Sequence, residues 1–345
     1  MLRIVDANLN RLCEGLRVLE DIARFILNDP DLSELLKKLR HGVLPQDLIL
    51  KDKILNARNS GKDVGAFLDV EGEGTRKNTA SLVRANAQRV EQSLRVLEEI
   101  AKLSDQDIPL DWKKLEHTRF AIYELEQTIV SNLLRRDKAE RIKGLYLILD
   151  TDAAGERDPV QIAKQAISGG ARLIQLRDKI KGKGTLLATA IQLQKICQDS
   201  GVLFLVNDHV DLALACDADG VHVGQSDLPV AAVRKLLPAS KLIGCSTAIV
   251  DEALQAERDG ADYVAVGSIF PTESKAGTRA AGLDTLRTVK EHISIPVVAI
   301  GGLNSANVED VINAGADSIA VIHAVLGTDD VQQASKELTQ LIEKV

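Results

Sequence analysis

Asp259-Gly260-Ala261-Asp262-Tyr263-Val264-Ala265-Val266-Gly267-Ser268-Ile269-Phe270-Pro271-Thr272-Glu273-Ser274-Lys275 contains the repeating unit of the fold in one pass. Asp259 to Asp262 has the pattern of a helix C-cap, with Gly supplying the left-handed residue that stops the helix. Tyr263 to Ile269 is a near-continuous apolar run, as expected of a strand buried on both faces. Pro271 to Lys275 then turns polar and charged, so the strand carries a reactive tip. The same order recurs where Asn313-Ala314-Gly315-Ala316-Asp317 precedes Ser318 to Ile322.

Outward from that unit, eight such runs follow Gly144: Leu145 to Leu149, Leu173 to Leu176, Leu203 to Val206, Gly220 to Val223, Leu242 to Cys245, Tyr263 to Ile269, Pro296 to Ile300 and Ser318 to Ile322. Amphipathic segments alternate with them, which implies a parallel sheet covered by helices on both faces. Eight units in about 200 residues imply an α/β fold of the (β/α)8 barrel type, with a doubly wound open sheet as the alternative.

Before Gly144 the apolar spacing is helical, as in Leu9, Leu12, Leu16, Leu19 and Ile22, or Val90, Leu94, Leu97 and Ile100. The spacing predicts an all-α domain over residues 1–140 and a barrel domain over 141–345. Helices are expected over 5–28, 31–42, 45–57, 79–104 and 111–140, with a Gly-rich stretch from Asn59 to Asn78 between the third and fourth. The helical half repeats itself: Ala7 to Arg24 (ANLNRLCEGLRVLEDIAR) returns as Ala85 to Lys102 (ANAQRVEQSLRVLEEIAK). Two related helices can pack about a pseudo-twofold axis. Asn8, Arg11 and Glu14 fall near one helical face, and Arg17 with Glu20 or Asp21 continues the polar stripe. A solvated, salt-bridged face accounts for that stripe as well as a ligand site does.

Lys+Arg 43 against Asp+Glu 50 leaves a net charge of -7, which does not favour nucleic acid or an anionic membrane as a general partner. Aromatic residues at 3% also leave few platforms for base stacking. Cys13, Cys197, Cys216 and Cys245 are widely spaced in apolar runs and form no CxxC pair, which suits a reducing cytosol. No run reaches the ~18 apolar residues of a membrane span. Met1 leads into Leu-Arg-Ile-Val-Asp rather than a basic and then apolar leader. The expected location is cytoplasmic.

In a barrel the chemistry collects at the C-terminal strand ends, and here those ends are polar. Gln175, Arg177 and Lys179 follow the second strand, Asn207 and Asp208 the third, Gln225 and Asp227 the fourth, Ser246 and Thr247 the fifth. Asp208 and Asp227 lie on adjacent strand ends, a pair that suits Mg2+, which takes one or two carboxylates beside water and substrate phosphate oxygens. Arg177, Lys179 and Lys275 are three cations around the same opening, so the set describes a pyrophosphate site. Gly301-Gly302 and Ile322-His323 stand where many barrels hold a phosphate on backbone N–H groups.

These residues resemble a known family. Gln-Leu-Arg-Asp-Lys (175–179), Asn-Asp-His-Val-Asp-Leu-Ala-Leu (207–214), Asp-Ala-Asp-Gly-Val-His-Val-Gly-Gln-Ser-Asp-Leu (217–228), Ile-Gly-Cys-Ser-Thr (243–247), Ala-Asp-Tyr-Val-Ala-Val-Gly-Ser-Ile-Phe-Pro-Thr-Glu-Ser-Lys (261–275) and Ala-Ile-Gly-Gly-Leu (299–303) look like the motifs of thiamine phosphate synthases. The resemblance implies that 4-amino-2-methyl-5-diphosphooxymethylpyrimidine loses pyrophosphate dissociatively and that the nitrogen of a thiazole phosphate attacks the exposed methylene. It implies Mg2+ on Asp208 and Asp227, and the diphosphate on Arg177, Lys179 and Lys275. Gln175, Asn207 and Ser246 would address the pyrimidine and its diphosphate, with Asp178 also among the substrate-binding residues. Thr272, Ser274, Gly302, Ile322 and His323 would line the thiazole phosphate site.

Two positions depart from the family pattern. Ser274 stands where Thr is common and keeps the hydroxyl. His323 stands where Ser is common, and either donates to phosphate or fills space. A related thiazole tautomerase shares the barrel but lacks much of the diphosphate apparatus, which this chain retains.

The helical half resembles a small domain fused to some of these synthases and linked to phosphorylation of hydroxymethylpyrimidine phosphate. That activity would use ATP and make the diphosphate the barrel consumes. Gly61-Lys62-Asp63 is no Walker P-loop, so phosphate would fall to Arg11, Arg17, Arg58, Arg76, Arg89 or Arg95 and to backbone N–H groups of the glycine loop. The alternative is a non-catalytic helical module that dimerises the protein, which would then be a homo-oligomer.

Overall fold

Apolar residues three and four apart become helix α1 (Leu2–Phe25), with Leu9, Leu12, Leu16, Leu19 and Ile22 buried along one face. The computed structural model describes residues 1–45, 47–58, 75–103, 108–272 and 279–344, and it divides into two units, Met1–Leu134 and Arg135–Val345. In the first unit α1 is followed by α2 (Pro30–Gly42), α3 (Leu48–Ala57), α4 (Thr79–Ala101) and α5 (Trp112–Ala139), and the division between units falls inside α5. Side chains of Asp29, Asp47 and Asn78 cap the starts of α2, α3 and α4.

The repeated helices are α1 and α4, and they meet closely. A Cβ at Gly15 would lie 2.6 Å from Val90 Cγ2 and 3.1 Å from the Asn86 carbonyl, so the glycine permits the crossing. The repeat also extends further than the quoted strings. Glu20 on α1 accepts from Arg40 Nε on α2 at 2.8 Å, and its equivalent Glu98 on α4 accepts from Arg119 Nε on α5 at 2.7 Å. Leu36 on α2 and Val43 at its C-cap match the buried Leu115 and Ile122 on α5. The unit is therefore two related helix pairs, each locked by a carboxylate and an arginine.

On α4 a second carboxylate is under stress. Burial, followed by the neighbouring carboxylate of Glu126, pushes Glu91 up to about 7, with Arg119 opposing. Among the described residues its Oε1 is buried without a hydrogen-bond partner. A raised folded-state value stabilises fully below the unfolded value of 4.5, and that contribution is lost as pH rises through about 7. Glu91→Gln is therefore expected to be more stable than the parent at pH 8 by about 1 kcal/mol, a figure discounted for the side chain's partial exposure. The gain should shrink toward pH 4.5; thermal melts at the two pH values check it, and equal melting at pH 8 would count against the strained pair.

The second unit is a closed parallel barrel in the order β1 (Gly144–Asp150), β2 (Leu173–Arg177), β3 (Leu203–Asn207), β4 (Gly220–Val223), β5 (Leu242–Thr247), β6 (Tyr263–Val266), β7 (Val297–Ile300) and β8 (Ser318–Val321). Pairing of β1 with β8, from Gly144 with Ser318 to Leu147 with Val321, closes it and excludes the open sheet. The period of two sorts the side chains. Leu145, Leu147, Leu149, Ile174 and Leu176 point outward into the layer beneath the helices, whereas Tyr146, Ile148, Leu173, Leu205 and Tyr263 fill the interior with Ile142. Gly260 and Gly315, at φ +93° and +101°, end their helices in the left-handed region, as their caps require.

At the N-terminal ends of the strands one device recurs. Asp219 before β4, Asp262 before β6 and Asp317 before β8 accept from the backbone N–H of Phe204, Ile243 and Val297 on the preceding strand, at 3.1, 2.7 and 2.8 Å. Lys138, Arg234 with Arg135, and Lys290 neutralise these carboxylates in turn.

Candidate active site

The inward positions that are apolar at mid-barrel become polar at the C-terminal ends. Gln175 and Arg177 on β2, Asn207 on β3, His222 on β4 and Ser246 on β5 line one side of a cavity of about 710 Å3. Thr272, Gly302, Ile322 and His323, from the loops after β6 and β7 and the end of β8, line the other, with Ile148, Ala265 and Ile300 between them. A volume of this size accommodates small-molecule ligands, whose pockets run to about 300–1,000 Å3. The structure thus brings together eight of the residues expected from the sequence: Gln175, Arg177, Asn207, Ser246, Thr272, Gly302, Ile322 and His323.

Charge gathers where β2, β3 and β4 end. Arg177 donates from its guanidinium to Asp150 Oδ2, and Lys179 Nζ donates to Asp208 Oδ2. Asp208 sits at φ +60°, its N–H bonded to the His222 carbonyl at 2.8 Å. Asp227 Oδ2 accepts from the Gly224 N–H at 2.8 Å. Burial, and then the adjacent carboxylate of Asp208, raise the Asp227 carboxyl above its ordinary value despite the Gly224 bond and Lys179. Lys179, Asp208 and Asp227 are not themselves part of the cavity wall. Among the described residues no group of three or more His, Cys, Asp or Glu side chains converges, so the acidic site is a pair.

Asp178 is placed differently from the expectation. Its carboxylate accepts from Thr151 Oγ1 at 2.6 Å and from the N–H groups of Ile180 and Lys181 at 2.8 and 2.7 Å. Those bonds hold its carboxyl below the ordinary range against the cost of burial. Asp178 braces the loop that carries Lys179 and is absent from the cavity wall. Ser274 and Lys275 lie outside the described residues.

Several residues were not singled out from the sequence. Arg279 lines the cavity and donates to Glu252 Oε1 at 2.6 Å. Gln225, by contrast, was named from the sequence at the end of the fourth strand; it lines the cavity, and its Nε2 holds the Ser246 carbonyl at 2.7 Å. Tyr146, Tyr263 and His222 link Gln175 to Ser246 beneath the cavity floor. Strand parity alone could have marked them, since all three share the inward phase of Gln175 and Ser246.

In the helical unit, Arg58 grips Asp6 with two bonds of 2.8 and 2.7 Å, and its cation holds that carboxyl below the ordinary range. Arg17 pairs with Glu20 and Asp21, and Arg95 with Glu98 and Glu99. Arg11 and Arg89, equivalent in the repeat, are exposed. Residues 59–74 of the glycine-rich stretch lie outside the described residues. No helix among the described residues is long and apolar enough to cross a membrane.

Two family models match the chain, Thiamine monophosphate synthase over residues 145–325 and the ThiD2 family over residues 3–128. A thiamine-phosphate synthase of Thermosynechococcus vestitus is 40% identical over 336 residues, covering 97% of this chain and 93% of the relative. Another, of Synechocystis sp., is 40% identical over 340 residues, covering 98% and 96%. A solved thiamine phosphate pyrophosphorylase from Pyrococcus furiosus aligns with a TM-score of 0.56 at 39% identity, covering 60% of this chain and 98% of that one.

Proposed function

We propose, for a chain that belongs to the thiamine monophosphate synthase family, a division of labour in which the helical unit makes the diphosphate that the barrel consumes. The chain is a transferase of that family, and its barrel joins a pyrimidine to a thiazole phosphate. What carries the mechanistic reading is the meeting of a neutral polar floor, Gln175, Asn207 and Ser246, with a charged edge, Arg177, Lys179, Asp208 and Asp227. The pyrimidine ring lies on the floor and its diphosphate points to the edge. The bond from methylene carbon to diphosphate oxygen breaks with both electrons leaving on oxygen, and Arg177 and Lys179 neutralise that charge as it grows. The thiazole nitrogen then supplies the electron pair of the new carbon–nitrogen bond. The second phosphate lies by Thr272, Gly302 and the backbone from Ile322 to His323. Ser274 and Lys275 are assigned to the thiazole phosphate and the diphosphate from sequence alone.

The acidic pair fits Mg2+. Two adjacent carboxylates, one with its carboxyl raised by burial and by the other, are a donor set that a divalent cation relieves. When bound, Mg2+ supplies Lewis-acid neutralisation of the diphosphate oxygens. Lys179, bonded to Asp208, is placed to move from that carboxylate to the incoming anion.

For the helical unit the support is the ThiD2 family match over residues 3–128. The phosphate donor in this reading is ATP, and the acceptor is hydroxymethylpyrimidine phosphate. Arg11 and Arg89, exposed and equivalent in the repeat, are the anion-binding candidates, because Arg17, Arg58 and Arg95 already hold carboxylates and Arg76 donates to the Thr75 carbonyl. The four free thiols suit a cytoplasmic setting. The full chain, given Mg2+, ATP, the pyrimidine monophosphate and thiazole phosphate, is expected to form thiamine phosphate, and to form none without ATP. A preparation that makes thiamine phosphate from added pyrimidine diphosphate but none from the monophosphate with ATP would sink the kinase half alone.

A further inference from the structure

Beneath the cavity floor five side chains from five strands bond in a line. Gln175 Nε2 lies 2.5 Å from Tyr146 Oη, Tyr146 Oη 3.0 Å from Tyr263 Oη, Tyr263 Oη 2.9 Å from His222 Nδ1, and His222 Nε2 2.9 Å from Ser246 Oγ. Both phenol rings are fully buried. Room for them is built into the backbone, since a Cβ at Gly244 would stand 2.0 Å from a carbon of the Tyr263 ring. The far end is also fixed, by the bond from Gln225 to the Ser246 carbonyl.

The direction of this line follows from the end of the Gln175 amide that faces Tyr146, which is the nitrogen. An amide nitrogen only donates, and each hydroxyl has one proton to give. Tyr146 accepts from Gln175, and a line in which every member both accepts and donates then has it give its proton to Tyr263. Tyr263 then gives its own to His222 Nδ1. A neutral imidazole that accepts at Nδ1 carries its proton on Nε2, and donates it to Ser246. Two things are left for the cavity that Gln175 and Ser246 both line: the Gln175 carbonyl as an acceptor, and the Ser246 proton as a donor. Burial raises both tyrosines above their ordinary values, which keeps each phenol protonated and the chain complete.

We infer that Tyr146, Tyr263 and His222 are positioning residues that hold Gln175 as an acceptor and Ser246 as a donor toward the aminopyrimidine, so that recognition at the two ends is set as one unit. The inference rests on the assignment of the pyrimidine to Gln175 and Ser246. An aminopyrimidine has the complementary pattern, N–H donors on its amine and acceptors at its ring nitrogens. An analogue with a 4-oxo group in place of the amine reverses that pattern, so the chain also serves as a filter between the two.

The test uses the full chain with Tyr263→Phe and, at the other end of the line, Tyr146→Phe. Each removes one hydroxyl without changing ring volume. Each is expected to raise KM for the pyrimidine diphosphate about tenfold while KM for thiazole phosphate stays within about twofold. Preference for the 4-amino over the 4-oxo diphosphate should fall about tenfold. The penalty of Ser246→Ala should largely vanish in the Tyr263→Phe background, because both changes break the same line. A role in packing alone would move neither the split between the two KM values nor the 4-oxo preference. Full additivity with Ser246→Ala, or unchanged KM and preference in whichever tyrosine variant folds, overturns the chain. Gln175→Ala and Ser246→Ala distinguish the remaining case: if neither raises KM for the pyrimidine diphosphate, the placement of the pyrimidine fails, and the inference with it.

Discussion

Asp208→Asn is expected to lower turnover by about 10³-fold, the loss typical when one group that stabilises transition-state charge is removed. Asn is the informative replacement because Asp208 holds φ +60°, a left-handed conformation that Asn tolerates and most residues do not. The backbone is then kept and only the charge is lost. A second readout moves in the opposite direction. In the metal-free protein the Asp227 carboxyl is raised by burial and by Asp208, so removing the Asp208 charge relieves its neighbour. The variant should melt higher than the parent without Mg2+, and Mg2+ should raise the melting temperature of the parent far more than that of the variant. Undiminished pyrophosphate release by Asp208→Asn would refute the metal assignment.

Glu98→Ala is expected to destabilise the helical unit by about 3–5 kcal/mol, the usual result of removing one member of a buried ion pair. Glu98 is 0% exposed and is bonded by Arg119 through Nε at 2.7 Å and Nη2 at 3.2 Å. Arg119 would be left donating to the Tyr123 hydroxyl at 3.0 Å. Against the roughly 5–15 kcal/mol that holds most domains folded, a loss of that size is readily measured. Glu20→Ala, at the equivalent position, should cost somewhat less because its pair is less buried, Glu20 being 6% and Arg40 18% exposed against 0% for Glu98 and 13% for Arg119. Urea unfolding of the full chain, followed by far-ultraviolet circular dichroism, checks both. A loss under about 1 kcal/mol for Glu98→Ala would show that the pair is a surface contact in energetic terms.

The barrel was legible because a closed parallel sheet is buried on both faces, which leaves uninterrupted apolar strands such as Leu203 to Val206 and a glycine cap ahead of several of them. The strand read as Tyr263 to Ile269 is shorter in the structure, ending at Val266. Gly267 and Ile269 still bond to the Thr247 and Ile300 carbonyls, but outside the regular ladder. The first helix begins at Leu2 rather than at residue 5 and stops at Phe25, and Asn28 at φ +52° turns the chain. The repeat was read only to Lys102 because the connections after α1 and α4 differ in length, which hides the match of Arg40 with Arg119.

The site was legible where polar residues interrupt an apolar run, as Gln175, Asn207 and Ser246 do. Asp178 shares a string with Arg177 and Lys179, and nothing in the string separates a carboxylate that closes a turn from one that meets a ligand. Tyr146 and Tyr263 were invisible for a different reason. They lie 117 residues apart and meet only across the barrel interior, and a buried tyrosine has the same sequence signature as any other large apolar residue until its hydroxyl finds a partner.

Asp219, Asp262 and Asp317 each tie an even strand to the odd strand before it and leave the next interval without that tie. The wall is therefore assembled as two-strand staves, β3 with β4, β5 with β6 and β7 with β8, joined edge to edge. Its fasteners stand at the end opposite the polar rim, on residues that do not line the cavity. Mutation can thus rework the reactive rim, where like charges are forced together, without loosening the hoops that hold the staves. In this chain the capacity to vary chemistry and the capacity to stay closed are lodged at opposite ends of the same eight strands.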